Sequence, residues 1–597
     1  MTEAAARDRL APLTPFSLSV LLGRVAHEWS TRKRIFDLPT ARFFDVSSGP
    51  DLSTDVLGRR IATPVGPAAG PHSQLAENIV LAWLAGARFM ELKTVQILDE
   101  LDINRPCIDM QTVGYNIEWS QELKIPQSLE EYVKAWMMLD ILSAWDELTP
   151  FIGADPGPCV FDLSVGYDLA GISSDAVAAF IDSMMDASSL IDRFRSEIPA
   201  PFESFSDHQY RSRLADTATL STFHGCPPDE IEAITKHLMT RHRLDVIVKL
   251  NPPLLGFERV GEILAELGYN EVVIRQSDFD NDLQFDRGIE LIGELNDFAA
   301  ATGRRFGIKL SNTLVVQNHK QWMPDETMYL SGPPLHVITT TLLGELHKAL
   351  PGLLRVDGHD DAPVQVSFSA GIAKENLAAA AAMGIAPITI CSDLLKPGGY
   401  GRLKPMLSAF QDAITASGGS SLTDWKATRR TSASEAGHAG VVAAYVAGLH
   451  DPSLNGYYTV ADNSKLPREV DHVLEMWGCV ACNFCVTVCP NDAFFRLPTP
   501  EGSGMEGRQQ YLVFAELCNE CGNCLTFCPE TGDPAQVKPR IYFDRSRFAA
   551  AEGQAFLLER VSDRLAITAY PGWESEVPRL AELLNADEGV PVRAGDL

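Results

Sequence analysis

From about Ile61 to Met406, short β-branched and apolar runs alternate with longer amphipathic stretches, and each short run ends in Gly, Pro, Ser, Asn or Asp. This switching between a period of two and a period of 3.6 is the rhythm of βα units. The short runs are Ala62–Val65, Arg88–Leu92, Val160–Ser164, Thr219–Thr222, Val246–Leu250, Val272–Arg275, Gly307–Leu310, Gln365–Ser369 and Ile388–Cys391. They are one more than a parallel (β/α)8 barrel needs, and Val272–Arg275 and Gly307–Leu310 compete for the sixth strand. A barrel with its helices outside still fits so many consecutive units better than a doubly wound sheet, which makes the fold class α/β. The apolar run from Leu377 to Ser392 contains Gly384 and Pro387 and reads as a buried helix-to-strand step, not a membrane span.

The remainder divides around that unit. Residues 1–60 predict a helical N-terminal cap and residues 61–415 the barrel. Residues 416–470 predict a linker and a bridging helix, with Gly418–Ser434 rich in Gly, Ser and Thr and Glu435–Leu449 helical. Residues 471–540 hold a cysteine-rich domain, and 541–597 a tail packed on the body.

At 597 residues the chain exceeds what one core can organise. A hydrophobic content of 45% with 22% charged residues is that of a globular protein, and a net charge of -29 argues against nucleic acid or an anionic membrane as partner. Met1-Thr2-Glu3-Ala4 lacks the basic and apolar regions of a secretory signal. Of 12 cysteines, only Cys107, Cys159, Cys226 and Cys391 lie outside two dense runs. No disulfide framework emerges, so a reducing cytoplasm is the expected location.

The dense runs are Cys479-x2-Cys482-x2-Cys485-x3-Cys489-Pro490 and Cys518-x2-Cys521-x2-Cys524-x3-Cys528-Pro529. This is the ligand spacing of a bacterial-type 2[4Fe-4S] ferredoxin domain, in which the fourth cysteine of each run serves the other cluster. Cys479, Cys482, Cys485 and Cys528 are therefore expected around one [4Fe-4S] cluster, and Cys518, Cys521, Cys524 and Cys489 around the second. Zinc ribbons also use CxxC pairs, but doubled four-cysteine runs with a closing proline are not their pattern. The expected business of this region is electron transfer.

In a (β/α)8 barrel the reactive groups stand at the C-terminal ends of the strands. Those positions hold Gly66-Pro67-Ala68-Ala69-Gly70-Pro71, Lys93-Thr94, Ser164-Val165-Gly166-Tyr167, His224-Gly225-Cys226-Pro227 and Lys249-Leu250-Asn251-Pro252. Later strands end in Lys309-Leu310-Ser311-Asn312-Thr313, Ser369-Ala370-Gly371-Ile372 and Cys391-Ser392-Asp393. Small residues such as Gly66 and Ala68 would let backbone approach a flat ring, and the late loops would hold a phosphate. A lone lysine is ordinarily a solvated surface charge. Two at strand ends are better read as part of a site.

The stretches "ATPVGPAAGPHSQLAENIV", "RFMELKTVQILD", "STFHGCPPDEIEAI", "VKLNP" and "CSDLLKPGGY" resemble the FMN-binding domain of dihydroorotate and dihydropyrimidine dehydrogenases. Over roughly residues 30–410 they resemble more closely the YgfK-type proteins, a group labelled as selenate reductase subunits. The resemblance implies that Lys93 and Lys249 flank the flavin, that Asn116 and Asn312-Thr313 contact it, and that Ala370-Gly371 stands for a phosphate-binding Gly-Gly pair. It implies further that Cys226 is the general acid that protonates substrate opposite hydride delivery, although the family's N-x-S-C-P reads T-F-H-G-C-P here. A thiol with an ordinary pKa of about 8.5 could give up that proton. A buried structural cysteine is the plain alternative. His224 and Cys107 are the other candidate acids.

No G-x-G-x-x-G follows a strand and opens a helix; "GSGMEG" at 502–507 is a chance match inside the cysteine-rich domain. The expectation is an iron-sulfur flavoprotein oxidoreductase that passes electrons between two [4Fe-4S] clusters and FMN to act on a small heterocycle. CH–CH chemistry like that of dihydropyrimidine dehydrogenase is the leading class. Its electrons would come from or go to a separate FAD/NAD(P)H-oxidising flavoprotein subunit or a ferredoxin, and the oligomeric state stays open. The rival is an electron-transfer or scaffold subunit of a multi-subunit reductase or molybdenum-type hydroxylase. A glutamate-synthase-like transferase is disfavoured because Met1-Thr2 precedes no cysteine nucleophile.

Overall fold

The computed structural model describes residues 13–98, 103–117, 122–221, 223–561 and 564–586. Eight parallel strands form one sheet: β1 (Val65–Pro67), β2 (Phe89–Glu91), β3 (Val160–Gly166), β4 (Ala215–Ser221), β5 (Asp245–Leu250), β6 (Phe306–Leu310), β7 (Val364–Phe368) and β8 (Ile388–Ile390). Each neighbours the next around the sheet, β8 pairs with β1, and the Arg88 amide donates to the Val65 carbonyl at 2.9 Å to link β1 to β2. The result is a near-closed (β/α)8 barrel, as the rhythm of the sequence predicts. Its outer layer includes α2 (Ala76–Leu84), α3 (Ile125–Ser143), α4 (Asp175–Met185), α5 (Pro228–Arg241), α6 (Phe257–Glu266), α7 (Phe285–Ala301), α8 (Pro333–Ala349), α9 (Leu377–Ala382) and α10 (Leu403–Ala416). The apolar run from Leu377 is the buried α9-to-β8 step. No helix among the described residues is long and apolar enough to cross a membrane.

The contest for the sixth strand resolves in favour of Phe306–Leu310, which pairs with β5 on one side and β7 on the other. Val272–Arg275 is not a strand. It runs between α6 and a short helix at Gln276–Asp280, where the Val273 carbonyl accepts a single bond from the Gln317 amide at 2.9 Å. Its apolar character serves the edge of a small sheet, not the barrel wall. That four-stranded sheet, made of Ile108–Asp109, Tyr115–Asn116, Leu314–Gln317 and Thr327–Leu330, comes from the loops after β2 and β6. Thr222, the last residue of the expected fourth strand, lies outside the described residues.

The stretch expected as a linker is largely helical. Gly418–Ser420 turns the chain, the Ser421 hydroxyl accepts from the Asp424 amide, and α11 (Leu422–Glu435) follows. Composition misleads here because the serines and threonines of α11 lie on a solvated helix anchored by Trp425 Nε1 donating to the Ala378 carbonyl at 2.8 Å. The bridging helix is shorter than expected, α12 (Val441–Leu449).

The cysteine-rich domain is built on β9 (Phe494–Pro498), β10 (Gln509–Phe514) and β11 (Arg540–Tyr542), and β12 (Ala555–Val561) and β13 (Arg564–Ala569) extend the same five-stranded sheet. The C-terminal segment therefore belongs to that sheet through main-chain pairing. The N-terminal α1 (Leu18–Arg32), capped by Ser17, packs between barrel and sheet. Arg24 on α1 is fully buried, 2.6 Å from Glu28 Oε1 and 2.6 Å from Asp492 Oδ2, with its guanidinium near the rings of Phe36 and Phe514. Arg24→Ala would leave two buried carboxylates without their cation, a loss of about 3–5 kcal/mol. A depressed thermal midpoint followed by circular dichroism is the expected result.

Candidate functional site

The two cysteine loops wrap tightly because several residues take left-handed backbone: Ala481, Asn483 and Glu520 have φ of 53°, 65° and 53°. Gly522, at φ 89°, is required for space as well, since a Cβ there would lie 2.6 Å from Pro106 of the barrel. Cys479, Cys482, Cys485 and Cys528 line one cavity. The structure thus groups the fourth cysteine of the second run with three from the first. Cys489 in turn neighbours Cys518, Cys521 and Cys524. Lys538 donates to the carbonyls of Glu475 and Gly478 beside the first group, at 2.6 and 3.0 Å. The two groups differ in exposure: Cys482 is exposed, whereas Cys521 and Cys524 are buried.

The second group sits against the barrel. The amides of Cys107 and Ile108 both donate to the Cys521 carbonyl, at 3.1 and 3.2 Å. Asn523 Nδ2 donates to the carbonyls of Leu395 and Val488, at 2.8 and 2.7 Å. The Tyr400 hydroxyl donates to the Pro490 carbonyl at 2.9 Å.

At the C-terminal ends of the strands lies a cleft open to solvent that encloses about 660 Å³. Of the residues singled out from sequence, Ala68, Lys249, Asn312, Gly371 and Ser392 line it. Thr313, Ser331, Ser369 and Cys391 line it too. Gly371, at φ 53°, brings its backbone so close to α8 that a Cβ would meet the Gly332 carbonyl oxygen at 2.2 Å.

Other expected residues take other places. Gly66 lies in β1, where a Cβ would fall 1.4 Å from the Phe89 carbonyl oxygen, so glycine is needed there by the neighbouring strand. Lys93 is buried behind the cavity, near enough to act on the Cys391 thiol. Thr94 shares a 2.8 Å hydrogen bond with Ser164. Asn116 is fully buried with neither amide atom hydrogen-bonded. Two residues beyond Gly114, which abuts the cavity-lining Ser331 and Ser392, it is an unsatisfied polar group of the kind a bound ligand completes.

Two lining residues, Lys309 and Glu91, complete the electrostatics and were not singled out from sequence. Lys309 is ion-paired with Glu91 inside the barrel and donates to the Thr389 hydroxyl at 2.9 Å. Burial opposes ionisation of Glu91, but Lys309 and Lys249 override it and hold the carboxyl below its usual range. Burial pushes the Cys391 thiol up to about 12 against the pull of Lys93. The position of Lys309, three residues before Asn312 on β6, was the available signal; its buried carboxylate partner from β2 was not visible.

The loop after β4 carries both candidate acids, and neither Cys226 nor His224 lines the cavity. Cys226 is buried, and burial together with Glu230, Asp282 and Asp168 pushes its thiol up to about 12. His224 stacks on Tyr329 with ring centroids 5.6 Å apart, and its Nδ1 lies 3.5 Å from Asp282 Oδ2. Asp282 is fixed by Asn251 Nδ2 at 2.9 Å and by the Leu283 amide at 2.8 Å. Cys107 stands at the seam between domains, with Arg105 donating to its sulfur at 2.6 Å.

Residues 36–438 match the family described as oxidoreductase YgfK, N-terminal TIM-barrel domain. The chain belongs to that family. Residues 478–531 match the 4Fe-4S dicluster domain, which accounts for the eight cysteines. The YgfK oxidoreductases of Escherichia coli K12 and O157:H7 are each 38% identical over 412 residues, 66% of this chain and 38% of theirs. The match therefore spans well under half the length of these curated relatives. Two solved DHODH structures from Eimeria tenella are also similar. The ferulenol complex is 15% identical, covers 64% of this chain and 90% of its own, and has a TM-score of 0.41. The ligand-free form is 16% identical, covers 68% and 97%, and scores 0.40. The chain thus joins the N-terminal TIM-barrel domain of this family to a 4Fe-4S dicluster domain.

Two outcomes test this geometry. Cys528→Ser should alter the electron paramagnetic resonance signal of the exposed cluster, and Cys489→Ser that of the buried one, each variant acting on the cluster opposite to its own run. Asp162, in β3, accepts from the hydroxyls of Thr217 and Thr219, and burial raises its carboxyl to about 7. The folded chain then keeps a proton that the unfolded chain releases near pH ~4, so this group's stabilisation is complete below ~4 and lost as pH rises through 7. Asp162→Asn should lessen the fall in thermal midpoint from about pH 5 to about pH 8.

Proposed function

We propose that this chain is an iron-sulfur flavoprotein whose clusters exchange electrons with FMN in the barrel cavity, to reduce or oxidise a small heterocycle. One observation carries the reading: the buried cysteine group is hydrogen-bonded to the same barrel mouth whose cavity holds Lys249 and Lys309. When bound, FMN would supply hydride exchange with the substrate and one-electron exchange with the clusters. The cavity's chemistry fits it. Lys249 and Lys309 favour negative charge on a bound ring, the Ser369–Ile372 loop and Ser392 offer donors to a phosphate, and Asn116 gains the partners it lacks.

The chain's own groups then divide the remaining work. Tyr167 and Phe223, both exposed with rings 5.9 Å apart, stand at the mouth and suit a flat substrate. Proton exchange is assigned to the loop after β4, where His224 Nδ1 lies 3.5 Å from Asp282 Oδ2 and Cys226 follows two residues later. A thiol held near 12 keeps its proton across the neutral range and gives it up reluctantly. A separate FAD/NAD(P)H-oxidising flavoprotein or a ferredoxin would exchange electrons at the exposed first cluster. CH–CH chemistry of the dihydropyrimidine dehydrogenase kind is the reaction class to screen first.

Anaerobic purification with extraction of iron, sulfide, FMN and FAD tests the assignment. About eight irons and one FMN per chain are expected for two [4Fe-4S] clusters and one flavin. Eight irons without flavin would make the barrel a scaffold and transfer the chemistry to a partner subunit. On a heterocycle found by screening, His224→Gln should lower turnover by about 10²–10⁴-fold and Cys226→Ser by much less.

A further inference from the structure

The seam between the barrel and the cysteine-rich domain contains a continuous chain of contacts that ends inside the cavity. It begins at Cys489, a ligand of the buried group, and at Pro490 bonded to it. The Pro490 carbonyl accepts from the Tyr400 hydroxyl at 2.9 Å, and the same hydroxyl lies 3.5 Å from the His72 carbonyl. The Tyr400 and His72 rings meet edge to face with centroids 5.3 Å apart. His72 Nδ1 lies 3.9 Å from the sulfur of Cys391, which lines the cavity. All three side chains are removed from water: Tyr400 is 6% exposed and His72 1%, and Cys391 is largely covered.

The surrounding backbone holds this chain in place. Gly399 takes φ 49°, and a Cβ there would lie 2.0 Å from the Thr487 carbonyl oxygen. The turn carrying Tyr400 therefore presses directly on the short helix Phe484–Val488 that precedes Cys489.

We propose that Tyr400, His72 and Cys391 are positioning residues forming the route by which electrons cross between the buried cluster and the barrel cavity. The inference rests on the FMN reading and adds the path. In each crossing the buried cluster loses one electron and the acceptor in the cavity gains one. No bond forms or breaks in the protein, and Tyr400 keeps its proton because burial raises its hydroxyl well above the ordinary range. His72 is likewise fixed as a neutral imidazole, since burial lowers it to about 3. Neither side chain gains a charge that the dry seam would have to solvate. Tunnelling weakens steeply across empty gaps, so a bonded and closely packed bridge outcompetes a void of equal length.

The test uses the anaerobic full-length holoprotein with both clusters and FMN loaded. Laser-flash photoreduction with a deazaflavin donor starts the reaction, and flavin and cluster absorbance follow the redistribution of electrons. Tyr400→Phe keeps the ring and removes the hydroxyl bonds, and Tyr400→Leu removes both. Tyr210→Phe, which loses a hydroxyl bond to the Phe205 carbonyl far from the seam, is the control. Iron content, FMN content and cluster resonance spectra should match the parent in Tyr400→Phe and Tyr210→Phe. Equilibration should slow several-fold in Tyr400→Phe, slow further in Tyr400→Leu, and stay at the parental rate in Tyr210→Phe. Parental rates in both Tyr400 variants with full cofactor content would overturn the route while leaving the flavin reading intact. A protein that holds its iron and binds no FMN would overturn both.

Discussion

The Cys521 carbonyl accepts from two successive barrel amides, those of Cys107 and Ile108, and much of the architecture follows from this seam. It makes the loop of the buried cysteine group the edge partner of the small sheet over the barrel mouth. A separate domain tethered by a flexible segment could drift relative to the cavity. Here main-chain bonds, the Asn523 amide and the buried Arg24–Asp492 pair fix the relation from three directions. The interface is a shared interior, not a contact between two finished surfaces.

The lumen of the barrel is unusual for the fold. TIM barrels are generally filled by layers of branched aliphatic side chains, yet this one places Glu91, Asp162 and Lys309 inside. Buried ionisable groups of this kind are retained at a cost and mark places where fold and site share the same residues. Lys309 ties β6 to β2 across the barrel and also faces the cavity. The strands that build the wall thus also set the electrical potential of the pocket.

The legible part of the sequence was the part governed by local spacing. Eight cysteines announce their grouping because ligand loops are short, and the βα rhythm announces the barrel because each unit carries its own periodicity. Long-range relations were hidden. Nothing near Lys309 indicates Glu91, and nothing near Tyr400 indicates Pro490, since each pair is joined only by folding. Gly66 shows a second demand on a small residue: beside the strand end expected to meet a ligand, it also admits the next strand. Val272–Arg275 had the composition of a strand without a free edge of the barrel to join. In Gly418–Ser434, Ser421 caps a helix instead of loosening a linker.

The difference in exposure between the two cysteine groups has a chemical consequence. Dissolved oxygen meets the group containing Cys482 at the surface, while the group around Cys521 and Cys524 is shielded by the barrel. Damage would therefore begin at the outer centre and leave the inner one whole. A chain injured in this way would still hold its inner cysteine group and the main-chain bonds that tie it to the barrel mouth.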